Sequence, residues 1–200
     1  NLIIRNSTFF NPNGGSAGIS AGSENSGSVI NVFAENNTFG GDGTAYVLKI
    51  KMNAYRGGTV HDIYMRNSTI TQTIRGIVNF DTNYSEGAPF AQGDIFNPTM
   101  YNIYLDNVNA APSVVTSYPA YVISSDVSRS PIENVYYRNS VFYTTSNFPS
   151  SFSNVRNKFF KNMVVDNVTF INPSTNAQVV YNTDTTPELL DQTTAIVGSN

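Results

Sequence analysis

The sequence predicts an all-β chain wound as a right-handed parallel β-helix of about six coils. Three observations carry this expectation. A nine-residue phrase recurs six times, apolar residues alternate within it, and most repeats add a second apolar segment behind a Gly-, Pro-, Ser- or Asn-rich turn. Self-similarity at spacings of roughly 20–50 residues marks a solenoid, whose coils share a core and differ in their loops. No amphipathic helix of useful length appears.

The phrase reads NLIIRNSTF from Asn1, NVFAENNTF from Asn31, DIYMRNSTI from Asp62, NIYLDNVNA from Asn102, NVYYRNSVF from Asn134 and NMVVDNVTF from Asn162. Its second and fourth positions are mostly apolar, from Leu2 and Ile4 to Met163 and Val165. A period of two places them on one side of a strand. The fifth position holds Arg5, Glu35, Arg66, Asp106, Arg138 and Asp166, alternating in sign, so in-register stacking sets each charge beside opposite ones. The third position holds Phe33, Tyr64, Tyr104 and Tyr136, which predicts an outward row of rings. Such a row serves sugar or partner contact, or is ordinary solenoid stacking.

The sixth position is Asn in every repeat: Asn6, Asn36, Asn67, Asn107, Asn139 and Asn167. Asn tolerates the left-handed backbone of a sharp turn, and its amide can bond to neighbouring coils. A buried asparagine ladder is expected. The sequons at Asn6, Asn36, Asn67 and Asn167 then follow from the repeat and carry no glycan, while Asn83, outside the phrase, is the better acceptor.

Second strands are read at residues 18–23, 46–52, 76–82, 120–126 and 177–183. Residues 144–158 lack one, so the fifth coil is irregular. The β-helix domain spans 1–185, and 186–200, with PELLDQ near its start, form a cap or tail. The chain opens at Asn1 inside a strand, so a removed or cleaved upstream segment is expected.

Composition narrows the functions. With 40% hydrophobic residues, 200 residues can bury a core. Only 12% are charged, against about 25% in an average domain. A net charge of -3 gives no basic footprint for nucleic acid. No apolar run reaches about 18 residues, so no membrane partner is expected. The absence of cysteine excludes disulfides and thiolate metal sites. Neither metal nor cofactor is expected.

Residues 14–39, with GSENSG, and 46–70, with KIKMNAYRGG, resemble the polygalacturonase family, glycoside hydrolase family 28; the likeness covers most of 1–142. The resemblance implies a pectin-lyase-like β-helix, secretion to an extracellular setting, and action on acidic polysaccharide such as pectin, with oligogalacturonate as ligand. Family members cleave with inversion, which needs one carboxylic acid on the leaving oxygen and a second carboxylate to activate water. The family's R-I-K motif falls on Lys49, Ile50 and Lys51, and its tyrosine on Tyr84. Lysine in place of arginine keeps the charge but loses the bidentate fork. The G-H-G motif falls on Gly15, Ser16 and Ala17, so Ser16 stands where the family has its histidine. The N-T-D and D-D motifs have no counterpart here. The resemblance therefore implies substrate-binding residues Lys49, Lys51 and Tyr84 without catalytic acids, and no hydrolysis by these 200 residues.

Lys49 and Lys51 alternate on one strand and should face outward together, as cleft remnants or as solvated side chains. Asp81, Asp94, Asp126 and Glu86 carry no motif and read as solvated acids, and His61 as an exposed residue before a strand. Three functions remain: part of a larger hydrolase, a binding module for acidic polysaccharide, or a structural solenoid. The last would use the edge from Asn1 to Phe10 for self-association or for docking upstream coils.

Overall fold

The computed structural model describes residues 1–12, 16–42, 44–53, 56–73, 76–84, 97–116, 118–123, 130, 132–144 and 160–182. In chain order the strands are β1 (Leu2–Arg5), β2 (Thr8–Phe10), β3 (Ser16–Ala21), β4 (Ser28–Glu35), β5 (Thr38–Gly40), β6 (Thr44–Asn53) and β7 (Thr59–Ile70). They continue as β8 (Gly76–Tyr84), β9 (Thr99–Ala110), β10 (Val115–Thr116), β11 (Tyr118–Ile123), β12 (Ile132–Thr144), β13 (Phe160–Ile171) and β14 (Gln178–Asn182). Among the described residues there is no helix, hence none long and apolar enough to cross a membrane.

These strands form a parallel β-solenoid. The first sheet stacks β1, β4, β7, β9, β12 and β13 in parallel, with β2 and β5 extending the first two coils. The second sheet runs β11-β8-β6-β3, also in parallel. Six strands stack in the first sheet and four in the second, so about four turns are closed on both sides. The recurring phrase is in register throughout: Val32 opposes Ile63, which opposes Ile103, then Val135, then Met163.

Each long strand is bent twice, and the bends explain the phrase. The sixth-position asparagines all adopt the left-handed backbone, with φ between 48° and 54°. So do Asn31, Asp62, Asn102, Asn134 and Asn162 at the first position, with φ between 53° and 66°. A left-handed residue interrupts strand alternation by one place and turns a corner. On β9 the inward side chains are accordingly Met100, Ile103, Leu105, Val108 and Ala110, two or three residues apart. A regular strand would keep a step of two. The first sheet is thus folded into three walls, and the second sheet faces them across the core.

That core is continuous from coil to coil. Val47, Leu48, Ile50 and Met52 of β6, with Ile77, Val78 and Phe80 of β8, pack against the inward residues of the first sheet. Phe9 stacks on Phe39 at 5.0 Å and Phe142 lies 5.7 Å from Phe170. Beneath the second corner the core is polar. The Ser140 hydroxyl, 1% exposed, donates to the Arg138 carbonyl at 2.6 Å and accepts from the Val108 amide at 3.0 Å. Ser68 bonds the Arg66 carbonyl and the Asn37 amide in the same way. Backbone groups that the corner would strand are satisfied from inside.

Two expectations are corrected. The sixth-position ladder exists in part, through Asn107 to Asn67 and Asn167 to Asn139, but its members are exposed rather than buried. The left-handed corner turns them outward and leaves the following residue to line the interior. Residues 177–183 do not form a second-sheet strand, because β14 folds back antiparallel on β13. The short turn, in which the Asn172 amide donates to the Ala177 carbonyl at 2.8 Å, permits only a hairpin. A parallel crossover needs a dozen or more residues. Of the stretch 144–158 expected to be irregular, all but Thr144 lies outside the described residues, as does the expected tail 186–200.

Candidate functional site

The family resemblance points to the outward face of the second sheet. On β6, buried Leu48, Ile50 and Met52 alternate with half-buried Lys49 and Lys51, so both ammonium groups emerge on one face as expected. Parallel register then fixes their neighbours. Ser20 of β3 and Asn79 of β8 flank Lys49, and Asp81 lies beside Lys51 on the next coil. Strand spacing sets these backbones about 4.8 Å apart.

Tyr84 enters this group through an irregularity. The register between β6 and β8 shifts after Lys51, so that Asn53 opposes Tyr84. The shift brings the Tyr84 ring under Lys51, whose Nζ stands 4.0 Å from the ring centroid. An ammonium over a tyrosine face gains about 0.5–2 kcal/mol, depending on its solvation. The contact also fixes the direction of a side chain that would otherwise sample many rotamers. Behind it, Gly22 (φ 95°) packs so closely on the Lys51 carbonyl that a Cβ there would overlap it. The turn after β3 therefore braces the strand that carries the lysines.

Asp81, read from the sequence as a solvated acid without a motif, is only 5% exposed, and Asn79 on the same strand is 3% exposed. The strand read at residues 76–82 already contained Asp81; what the sequence did not report is its register beside Lys51. The other acids considered, Glu86, Asp94 and Asp126, lie outside the described residues. Ser16 is placed in β3, opposite Thr44, at the end of the strand away from Ser20, and Asn83 directly precedes Tyr84 in β8. The side chains of Ser16 and Asn83 lie outside the described residues.

The first sheet carries two further arrays. Phe33, Tyr64, Tyr104 and Tyr136 stack at 4.9, 4.7 and 4.6 Å with their planes within 3° of parallel. Their inner faces are covered by one another, so sugar rings cannot stack there; the row is solenoid packing with polar edges. Burial and the neighbouring phenols hold the Tyr104 hydroxyl above the usual tyrosine range. His61 is neither ahead of its strand nor idle: it lies within β7, stacks on Tyr101 at 4.5 Å and bonds Asp62 at 2.7 Å. Hydrogen bonds from the Asn102 amide and His61 hold the Asp62 carboxyl below its ordinary value. Among the described residues no three His, Asp or Glu side chains converge as a metal site would require.

No protein-family model, curated protein or solved structure matches this chain.

Proposed function

We propose that this solenoid binds an acidic saccharide of the uronate type along the outward face of its second sheet. The observation that carries the reading is the pairing of Lys49 and Lys51 on one face, with the Lys51 ammonium held over Tyr84 and beside Asp81. The two cations suit sugar carboxylates. Ser20, exposed beside Lys49, adds a hydroxyl that can donate to or accept from a sugar hydroxyl. The resemblance of KIKMNAYRGG and GSENSG to the polygalacturonases supports the same ligand class.

The reading is one of binding. Inverting hydrolysis wants two carboxyl groups roughly 6.5–9.5 Å apart across the scissile bond. Among the described residues of this face, Asp81 is the only acid. We expect these 200 residues to hold oligogalacturonate without cleaving it. Titration calorimetry with oligogalacturonate and with a neutral galactose oligomer tests this. Binding confined to the acidic ligand, weakened by salt and lost in Lys51→Ala, is the expected result. Equal binding of both ligands, or of neither, would remove the proposal.

A second reading rests on the opposite end of the first sheet. Among the described residues, β14 pairs the outer edge of β13, whereas β1 pairs β4 alone, and Leu2, Ile3 and Phe10 are 51%, 63% and 70% exposed. An edge of that kind accepts a further strand, from another coil or a second copy. Concentration-dependent sedimentation, suppressed by Ile3→Lys, would favour assembly.

A further inference from the structure

We propose that Asn36 is an acceptor for an N-linked glycan, one that the folded corner accommodates without losing a side-chain bond. Four phrase asparagines sit in sequons, Asn6, Asn36, Asn67 and Asn167, and the corner distinguishes them. Asn167 donates its Nδ2, the atom that would carry the sugar, to Asn139 at 2.8 Å. Asn67 accepts from Asn107 at 3.0 Å. The Asn36 side chain makes no hydrogen bond among the described residues and is exposed. Its backbone does the structural work instead: φ is 54° and its amide donates to the Arg66 carbonyl at 3.2 Å.

A glycan at Asn36 costs the fold no side-chain bond, whereas one at Asn167 attaches to the atom that donates to Asn139 and crowds that contact. The neighbours also give it room. Asn37 turns inward and is buried, and Glu35 is drawn toward Arg66 on the adjoining coil by an ion pair of 2.6 Å. Asn36 stands on the first sheet, away from the second-sheet strand that carries Lys49 and Lys51. The glycan thus leaves the proposed saccharide face open. The side chain of Asn83, the acceptor expected from sequence, lies outside the described residues. Asn6 shares the free carboxamide of Asn36 and is the second acceptor by the same argument. In the transfer, C1 of the sugar leaves its bond to a lipid diphosphate and joins Nδ2, and the amide proton goes with the diphosphate.

The chain should be secreted from a eukaryotic host and its occupancy mapped by peptide mass analysis, with and without peptide N-glycosidase. Occupancy at Asn36, with Asn167 bare, is expected. Asn36→Gln should remove that glycan, and so should Thr38→Ala, which keeps the left-handed Asn36 in place; Thr38→Ser should restore it. Oligogalacturonate binding should be equal with and without this glycan if the second-sheet reading holds. A bare Asn36 in the secreted folded chain, or occupancy at Asn167 equal to it, would overturn the proposal whether or not the saccharide binds.

Discussion

The side chain of Asn102 donates to Asp62 Oδ1 at 2.9 Å, so one hydrogen bond ties together corners that are 40 residues apart in the chain. The ladder continues from Asn134 to Asn102 and from Asn162 to Asn134. Asp62 is its one acid, and His61 gives it a second donor. Replacing Asp62 by Ala removes both bonds and should lower stability by about 1–3 kcal/mol, read from urea unfolding. Asp62→Asn should retain most of it.

The same residue gives a pH dependence. Its folded pKa is depressed by Asn102 and His61, so its contribution is whole above the unfolded value of about 3.9 and is lost as pH falls through the lower folded value. Melting temperatures from pH 6 down to about pH 2 should decline less steeply in Asp62→Asn than in the parent chain. Parallel curves would show that the carboxylate is not a source of the acid limb.

At the alkaline end the sign reverses. The folded Tyr104 pKa is raised by burial and by Tyr136 and Tyr64, and that of Tyr137 is raised by full burial. These phenols stabilise the fold fully below the unfolded pKa of about 10, and the contribution fades as pH rises toward the folded values. Spectrophotometric titration should show a late-ionising fraction that joins the main transition on unfolding. Tyr104→Phe should remove part of it.

Much of this was legible beforehand. The phrase gave the register, because Asn, apolar and charged positions recur in fixed order. The sixth-position corner was readable because only Asn occupies it. The first-position corner was hidden, since Asp62 breaks its uniformity and its members look like the start of a strand. The burial of Asp81 was invisible, because it depends on the neighbouring coils and not on the pattern of its own strand. The reversal at β14 followed from a turn too short for a crossover, a matter of connection length that apolar patterning does not report.

The corners make a backbone prediction. An ordinary side chain in the left-handed region costs roughly 1–2 kcal/mol more than Gly or Asn. Asn107→Val should therefore destabilise by more than Asn107→Gly, although both lose the bond to Asn67. Equal losses in urea unfolding would mean that the amide ladder, rather than the conformation, holds the corner.

Buried hydroxyls should matter more than surface charges. Ser140→Ala strands the Val108 amide and should cost about 1–3 kcal/mol. Glu35→Gln weakens the ion pair to Arg66, whose side chain is 54% exposed, and should cost under about 1 kcal/mol, less still at high salt.

Above all we propose that the second sheet binds an acidic saccharide. Amide chemical-shift mapping during an oligogalacturonate titration tests it most directly. The expected perturbations cluster at Ser20, Lys49, Lys51, Asn79 and Tyr84 and disappear in Lys51→Ala. Perturbations centred on Tyr64, Tyr104 and Tyr136, or none at all, would contradict it.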